Sequence, residues 1–417
     1  MTGPSGNPRT AAITPREPGA KRSETDDGGE GGGPTHVGAR LSAPADGLGA
    51  AQGKRDGASA RDLAFPVYAA LDLGTNNCRL LVARPSRRGF LVIDAFSRII
   101  RLGEGVTGSG RLSDAAMGRT LEALKVCAEK MRRRNVSRSR LIATEACRIA
   151  ANGREFIDRV RRETGLAIEI VSQETEAKLA VSGCASLIDR NCDWVLVFDI
   201  GGGSSELIWL DLKQLDRPWR RSIYDRLDVQ SCIAAWTSLP IGVVSLAERH
   251  GGREVNAASY EAMVVDVMKG VAPFEAEHRF AERITGEQAH FLGTSGTVTT
   301  IAGIHLGLPV YERSRVDGCW LGAGDVRTVS GRLSAMSYAD RVAQPCIGHE
   351  RADLVLAGCA ILEALMRIWP CERLRVADRG LREGILATLM AEDGHERRAS
   401  GDPRSHGRSG GSGPSRR

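Results

Sequence analysis

The segments VYAALDLGTNNCRLLVA (Val67–Ala83) and WVLVFDIGGGSSELIWL (Trp194–Leu210) repeat one design: an apolar strand, an aspartate, a glycine-rich turn with hydroxyl or amide side chains, and a second apolar strand. Backbone N–H groups in such a turn point together at an anion, and glycine lets the main chain come close enough to use them. Gly74, Thr75 and Asn76 fill the first turn, and Gly201, Gly202, Gly203 and Ser204 the second. Asp72 and Asp199 close the strands just before them, and a carboxylate beside bound phosphates calls for a divalent cation between the two. A single copy would suit an ordinary hairpin as well. Two copies 127 residues apart, in the same strand-turn-strand setting, point to a phosphate-handling protein with a Mg²⁺ site.

The 417 residues can hold two domains and bury a large core. Before residue 65 the chain is Gly, Ser, Pro, Arg and Asp with few aromatic or β-branched residues, and the stretch 394–417 is similar; both are expected to be disordered. About 330 residues remain, with duplicated α/β domains expected over 65–190 and 191–393 and a cleft between them. The first 64 residues lack the 7–15-residue apolar stretch of a secretory signal, and no run reaches the ~20 residues of a membrane span. The ten cysteines form no C-x-x-C pair and no zinc spacing, which suits free thiols in a reducing cytoplasm. The net charge of +6 is concentrated in the tail, where six Arg face Glu396 and Asp402, so no specific nucleic-acid surface is expected.

Alternating periods predict strands at 67–72, 78–84 and 90–94, then an amphipathic helix over Ser113–Arg134. A strand at Leu141–Ala143, a helix over 153–164, a strand at Ala167–Val171 and a helix over 174–188 complete the first half. The second half restarts at Trp194, with strand-like Ser238–Val243 and helices near 257–281, 350–368 and 381–392. Gly103, Gly105 and Gly108 in LGEGVTGSG fit G-x-G-x-x-G, but the next N-cap, Ser113, lies too far on for a dinucleotide fingerprint, and a rim loop of the cleft is expected instead. In HFLGTSGTVTTIAGI (His290–Ile304), Gly293, Thr294, Ser295 and Gly296 form a third turn suited to an anion at a helix N-terminus or to a capped helix start.

ALDLGTNNCRLLVA, RLGEGVTGSGRLS, IATEACRIA, VSQETEAKLAVSG, VFDIGGGSSELI, SLPIGVVSL, LGTSGTVTTIAG, RADLVLAGCAIL and DRGLREGIL follow one another across about residues 66–392. Together they resemble the exopolyphosphatase/guanosine pentaphosphate phosphohydrolase family, in its short two-domain form. The resemblance implies the actin-like, ribonuclease H-like fold of the sugar-kinase and heat-shock-chaperone superfamily, with the last helix packed back on the first domain. It also implies a Mg²⁺-dependent phosphoanhydride hydrolase acting on inorganic polyphosphate or guanosine pentaphosphate by direct water attack. Residue by residue, it places the general base at Glu176, the metal-binding carboxylates at Asp199 and Glu206, and basic groups facing the phosphates at Arg79 and Arg148. Thr175 and Lys178 depart from the Glu-Glu-Ala-Arg often found around the base, which keeps a non-catalytic sensor of these polyanions in view. A homodimer is plausible for the family. The Arg-rich stretch Leu215–Cys232 reads as a solvated loop or, alternatively, as an extension of a basic channel.

Overall fold

In the central strands the apolar residues run almost without interruption, as expected for strands covered on both faces. The computed structural model describes residues 66–86, 89–214, 227–284 and 288–394, and builds two sheets around these strands. The first is an antiparallel meander of β1 (Tyr68–Leu73), β2 (Asn77–Ser86) and β3 (Gly89–Ile99), extended by β4 (Arg138–Ala143) and β5 (Glu169–Ile170) parallel to β1, in the order β3-β2-β1-β4-β5. The second repeats it with β6 (Trp194–Ile200), β7 (Ser205–Asp211), β8 (Ile233–Leu239), β9 (Ala289–Thr294) and β11 (Arg373–Ala377), plus a short antiparallel edge strand β10 (Trp320–Gly322). Two α/β sheets with the same strand order form the duplicated actin-like fold. The expected N-terminal segment, the tail beyond Gly394 and residues 215–226 of the Arg-rich stretch lie outside the described residues.

Period-2 alternation divides each sheet between two cores. One face of the first sheet, with Ala69, Leu71, Leu80 and Val82, packs against α1 (Asp114–Arg133), α2 (Glu145–Ile149) and α3 (Gly153–Thr164). Helix α1 starts where the Ser113 hydroxyl accepts the Ala116 N–H, with Asp114 in its first turn and Lys130, Arg132 and Arg133 in its last, each on the side the helix dipole favours. In the second sheet Leu196, Phe198, Leu207 and Trp209 pack beneath the helices of the second half: α5 (Val243–His250), α6 (Ala257–His278), α7 (Gly296–His305) and α8 (Val355–Ile368).

The other two faces are covered crosswise. Helix α4 (Gln173–Cys184) belongs to the first half, yet it presents Ala177, Val181 and Cys184 to Val195, Val197 and Ile208 of the second sheet. Helix α9 (Leu381–Glu392), at the end of the second half, lays Ile385, Leu386 and Leu389 on Tyr68, Ala70 and Leu81 of the first. The two helices meet along glycines: a Cβ on Gly384 would stand 2.0 Å from the Leu179 carbonyl oxygen, and one on Gly183 would stand 1.8 Å from that of Gly380.

The run expected as strand at Ser238–Val243 divides instead. β8 ends at Leu239, and α5 begins at Val243 because the Val243 and Val244 N–H groups donate to the Gly201 and Gly202 carbonyls at 3.0 and 2.8 Å. The helix expected over 174–188 is α-helical only to Cys184 and continues as a 3₁₀ turn over Ala185–Leu187. Short helices at Ala323–Ser334 and Tyr338–Ala343 had no counterpart in the sequence reading. No helix among the described residues is long and apolar enough to cross a membrane.

The glycine seam yields a stability prediction. Gly384→Ala should destabilise the protein by about 1–3 kcal/mol through overpacking. Gly118→Ala, at an open position of α1 where nothing lies within 4 Å of the new Cβ, should be neutral or stabilising by up to about 1 kcal/mol. Thermal unfolding of the two variants beside the parent checks both.

Candidate active site

The strand-turn-strand repeat closes the same way twice. Gly74 N–H donates to the Asn77 carbonyl at 2.9 Å, and Gly201 N–H to that of Ser204 at 2.9 Å. These two amides are therefore used by the turns themselves. The N–H groups of Thr75, Asn76, Gly202 and Gly203 have no acceptor among the described residues and remain as anion donors. The turns touch: a Cβ on Gly202 would stand 3.0 Å from Thr75 Cβ, and one on Gly203 would stand 2.8 Å from Thr75 Oγ1. The segment from Ile100 to Gly103 clamps the first turn, with the Ile100 and Arg101 N–H groups donating to the Asn76 carbonyl and Gly103 N–H to that of Thr75. A cavity of about 320 Å³ opens beside the pair, lined by Thr75, Gly103, Val106, Glu145, Gly203 and Ser245.

Cross-strand register fixes which side chains meet. Asp72 pairs with Arg79 and Asp199 with Glu206, so equivalent positions of the repeat carry a guanidinium in one copy and a carboxylate in the other. Directly opposed residues share a sheet face. Parallel pairing sets Leu73 beside Ala143, and Asp199 beside Thr294, which pairs in turn with Ala377. Side chains on or just past the carboxyl ends of β1, β4, β6, β9 and β11 therefore gather at one place, where open α/β sheets bind ligands.

The result is a cluster of carboxylates. Glu206 is buried and its Oε1 accepts the Ser204 and Ser238 hydroxyls at 2.8 and 2.9 Å; burial and Asp199 still push its pKa up to about 7. Burial and Asp72 push Asp199 up to about 6, and burial raises Asp72 against the pull of Arg79 and Arg382. Glu176, in the first turn of α4, is raised well above the carboxylate range by burial and Glu206, with Arg148 opposing. Arg148 binds the Glu176 carboxylate at 3.2 Å while holding buried Glu145 at 2.5 Å, so the guanidinium sits between two acids.

No three His, Cys, Asp or Glu side chains among the described residues form a ready-made metal cage. Mg²⁺ does not need one: it is commonly held by one or two carboxylates, waters and substrate phosphates. Asp199 and Glu206, neighbours on one face and mutually repelling, suit that role.

The profile of the Ppx/GppA phosphatase family matches residues 81–393. The chain belongs to this family. A guanosine-5'-triphosphate,3'-diphosphate pyrophosphatase of Aeromonas salmonicida is 28% identical over 329 residues, covering 79% of the chain and 60% of that protein. The chain thus spans about 60% of the length of such curated relatives. Among solved structures, the Ppx/GppA family member of Aquifex aeolicus is 26% identical with a TM-score of 0.63, over 79% of this chain and 99% of its own. An exopolyphosphatase-like protein is 28% identical with a TM-score of 0.67, over 78% and 98%.

Within this Ppx/GppA fold the third turn is split in function. Gly293 is strand, and it is needed for packing: a Cβ there would stand 2.6 Å from the Phe198 ring and 2.7 Å from Val298. Thr294 donates its hydroxyl to the Arg379 carbonyl at 2.9 Å, tying β9 to the loop before α9. Ser295 takes a φ of 109°, in the region that favours glycine, and its buried hydroxyl has no partner; Gly296 then opens α7. Lys178 pairs with Glu174 on the exposed side of α4. Glu145, Asp378 and Arg382 join the site without a signal in the sequence; Glu145 lies in IATEACRIA, in a five-residue helix directly after β4 that is too short to show a period.

The carboxylate cluster has a cost that can be measured. Asp199 and Glu206 titrate above their unfolded values of 3.8 and 4.5, so the fold favours their protonated forms. The contribution of these two groups to stability should be greatest below about pH 4 and fall as pH rises through 6 and 7, by about 3 kcal/mol from Glu206 alone. Thermal unfolding in a chelator from pH 4.5 to 8 should show Glu206→Gln with a flatter profile and a higher Tm than the parent at pH 8.

Proposed function

We propose that this protein hydrolyses the terminal phosphoanhydride bond of inorganic polyphosphate or of guanosine pentaphosphate. The observation that carries the reading is the meeting of two identically closed Asp-Gly turns, with free amides, beside a buried glutamate on a separate helix. Family membership and the printed activities of the similar proteins support the same class of reaction.

Each residue has a task that its surroundings allow. The amides of Thr75, Asn76, Gly202 and Gly203 grip phosphoryl oxygens, and the positive charge of Arg79 spreads over them. Glu176 takes a proton from the attacking water. The water oxygen bonds to the terminal phosphorus while the bond to the bridging oxygen breaks, its electron pair leaving on the shortened chain; the products are inorganic phosphate and that chain. Arg148 orients the base and opposes the rise in its pKa that burial and Glu206 impose. Mg²⁺, when bound through Asp199 and Glu206, would neutralise developing negative charge on the phosphate. No covalent intermediate is required.

Phosphate release by the full chain with Mg²⁺, on long-chain polyphosphate and on guanosine pentaphosphate in parallel, tests the reading. Glu176→Gln should lower kcat by about 10²–10⁴-fold with little change in KM. Binding without turnover by the parent would favour a sensor instead. The acid limb of kcat/KM should lie above the ordinary carboxylate range of about 4.3, because the base must be ionised and its pKa is raised. Arg148→Gln should move that limb to still higher pH, since the guanidinium holds the pKa down; an unmoved limb would assign the titration to another group.

A further inference from the structure

The guanidiniums around the cleft divide into two groups. Arg148 is bound by Glu145 and Glu176, Arg101 by Asp353, Arg379 by Asp317, and Arg313 by Glu383 at 3.0 Å. Arg79 and Arg382 differ: both are half-buried, and neither makes a hydrogen bond or ion pair with any described residue. A guanidinium withdrawn from water without a partner is costly unless a ligand supplies the acceptors.

Their backbone positions set them at one end of the site. Arg79 stands opposite Asp72 in the β1–β2 ladder. Arg382 is the second residue of α9, whose leading loop is tied to β9 through Thr294 and the Arg379 carbonyl. Its neighbour Glu383 attracts it electrostatically but spends its hydrogen bonds elsewhere, capping the Gly380 N–H at 3.0 Å and holding Arg313. Asp378 is likewise engaged, accepting the Tyr311 hydroxyl at 2.8 Å. Burial and the nearby Arg79 hold Arg382 below the usual guanidinium value, as expected for two cations sharing a space. Glu145, Arg148 and Glu176 form one charged group, and Arg79 and Arg382, with Asp72 beside them, form another.

We propose that Arg79 and Arg382 form one clamp for the phosphoryl groups on the leaving side of the scissile bond, with the terminal phosphate at the Glu176 end. This rests on the hydrolase reading for the word "leaving"; the clamp itself is a statement about polyphosphate binding. It assigns a role to the LREG segment, which the family resemblance included without one, and makes the last helix part of the binding site. A substrate held this way bridges β2 of the first sheet and the helix that returns to it from the second half.

The test uses the full chain carrying Glu176→Gln, so that ligand survives, with tripolyphosphate and inorganic phosphate as probes in calorimetry with Mg²⁺. Adding Arg382→Ala should weaken tripolyphosphate about 10- to 100-fold, the scale of charge-assisted hydrogen bonds, and change phosphate binding little. Arg382→Lys should recover part of the loss. If Arg382→Ala unfolds, Arg382→Met keeps the aliphatic stem on α9 and serves in its place. Unchanged tripolyphosphate affinity in a folded variant would overturn the clamp, as would equal weakening of both probes. In the otherwise unchanged chain, a raised KM with kcat nearly kept is expected. Absence of turnover in the parent would defeat the hydrolase reading alone, since the calorimetric result stands without it.

Discussion

The close approach of α4 and α9 along Gly183 and Gly384 is the constraint on which the rest of the molecule depends. Each helix covers the sheet of the half to which it does not belong in sequence, so the seam joins the two sheets through their cores. A side chain at either glycine would push the helices apart by more than an ångström. Glu176 rides on one of these helices and Arg382 on the other. Separating them would therefore loosen both ends of the cleft together, leaving the glycine turns intact but without the groups that act beside them.

The site itself carries a cost in stability. Four carboxyl groups, at Asp72, Glu176, Asp199 and Glu206, are held close enough to raise one another's pKa values in a desolvated place. A fold selected for stability alone would have put an amide or an apolar residue at some of these positions. The repulsion makes sense when the occupant is a polyanion with a divalent cation, because the cation then offsets negative charge that Arg148 and the Ser204 and Ser238 hydroxyls leave unbalanced, and strain of this kind clusters at functional sites.

Much of this arrangement was legible in the chain. The spacing of Asp72 and Asp199 is a one-dimensional signal, because strand, turn and strand are contiguous, and Ser113 announces the start of α1 by a local hydrogen bond. Glu176 was reached through the resemblance, whereas its coupling to Arg148 depends on a short helix after β4 that no period in IATEACRIA reveals. Gly293 shows the limit of composition: a glycine beside hydroxyls resembles an anion turn, but the space it leaves is filled by Phe198. Val243 shows another, since an apolar run becomes a helix when distant carbonyls, those of Gly201 and Gly202, take its first amides. Arg382 was invisible because its nearness to Arg79 and Asp72 is set by tertiary packing alone.

The crosswise cover of the two sheets also governs how the chain can be made. The face of the first sheet bearing Tyr68, Ala70 and Leu81 is not fully covered until α9 has been synthesised, roughly 300 residues later, or about 15–60 s at ribosomal rates. Throughout that interval the nascent first half exposes an apolar surface that Val171 and Leu179 cover only in part and that α9 completes. Its folding is thus coupled to the synthesis of α9, and until that helix emerges the first sheet carries an incompletely covered apolar face.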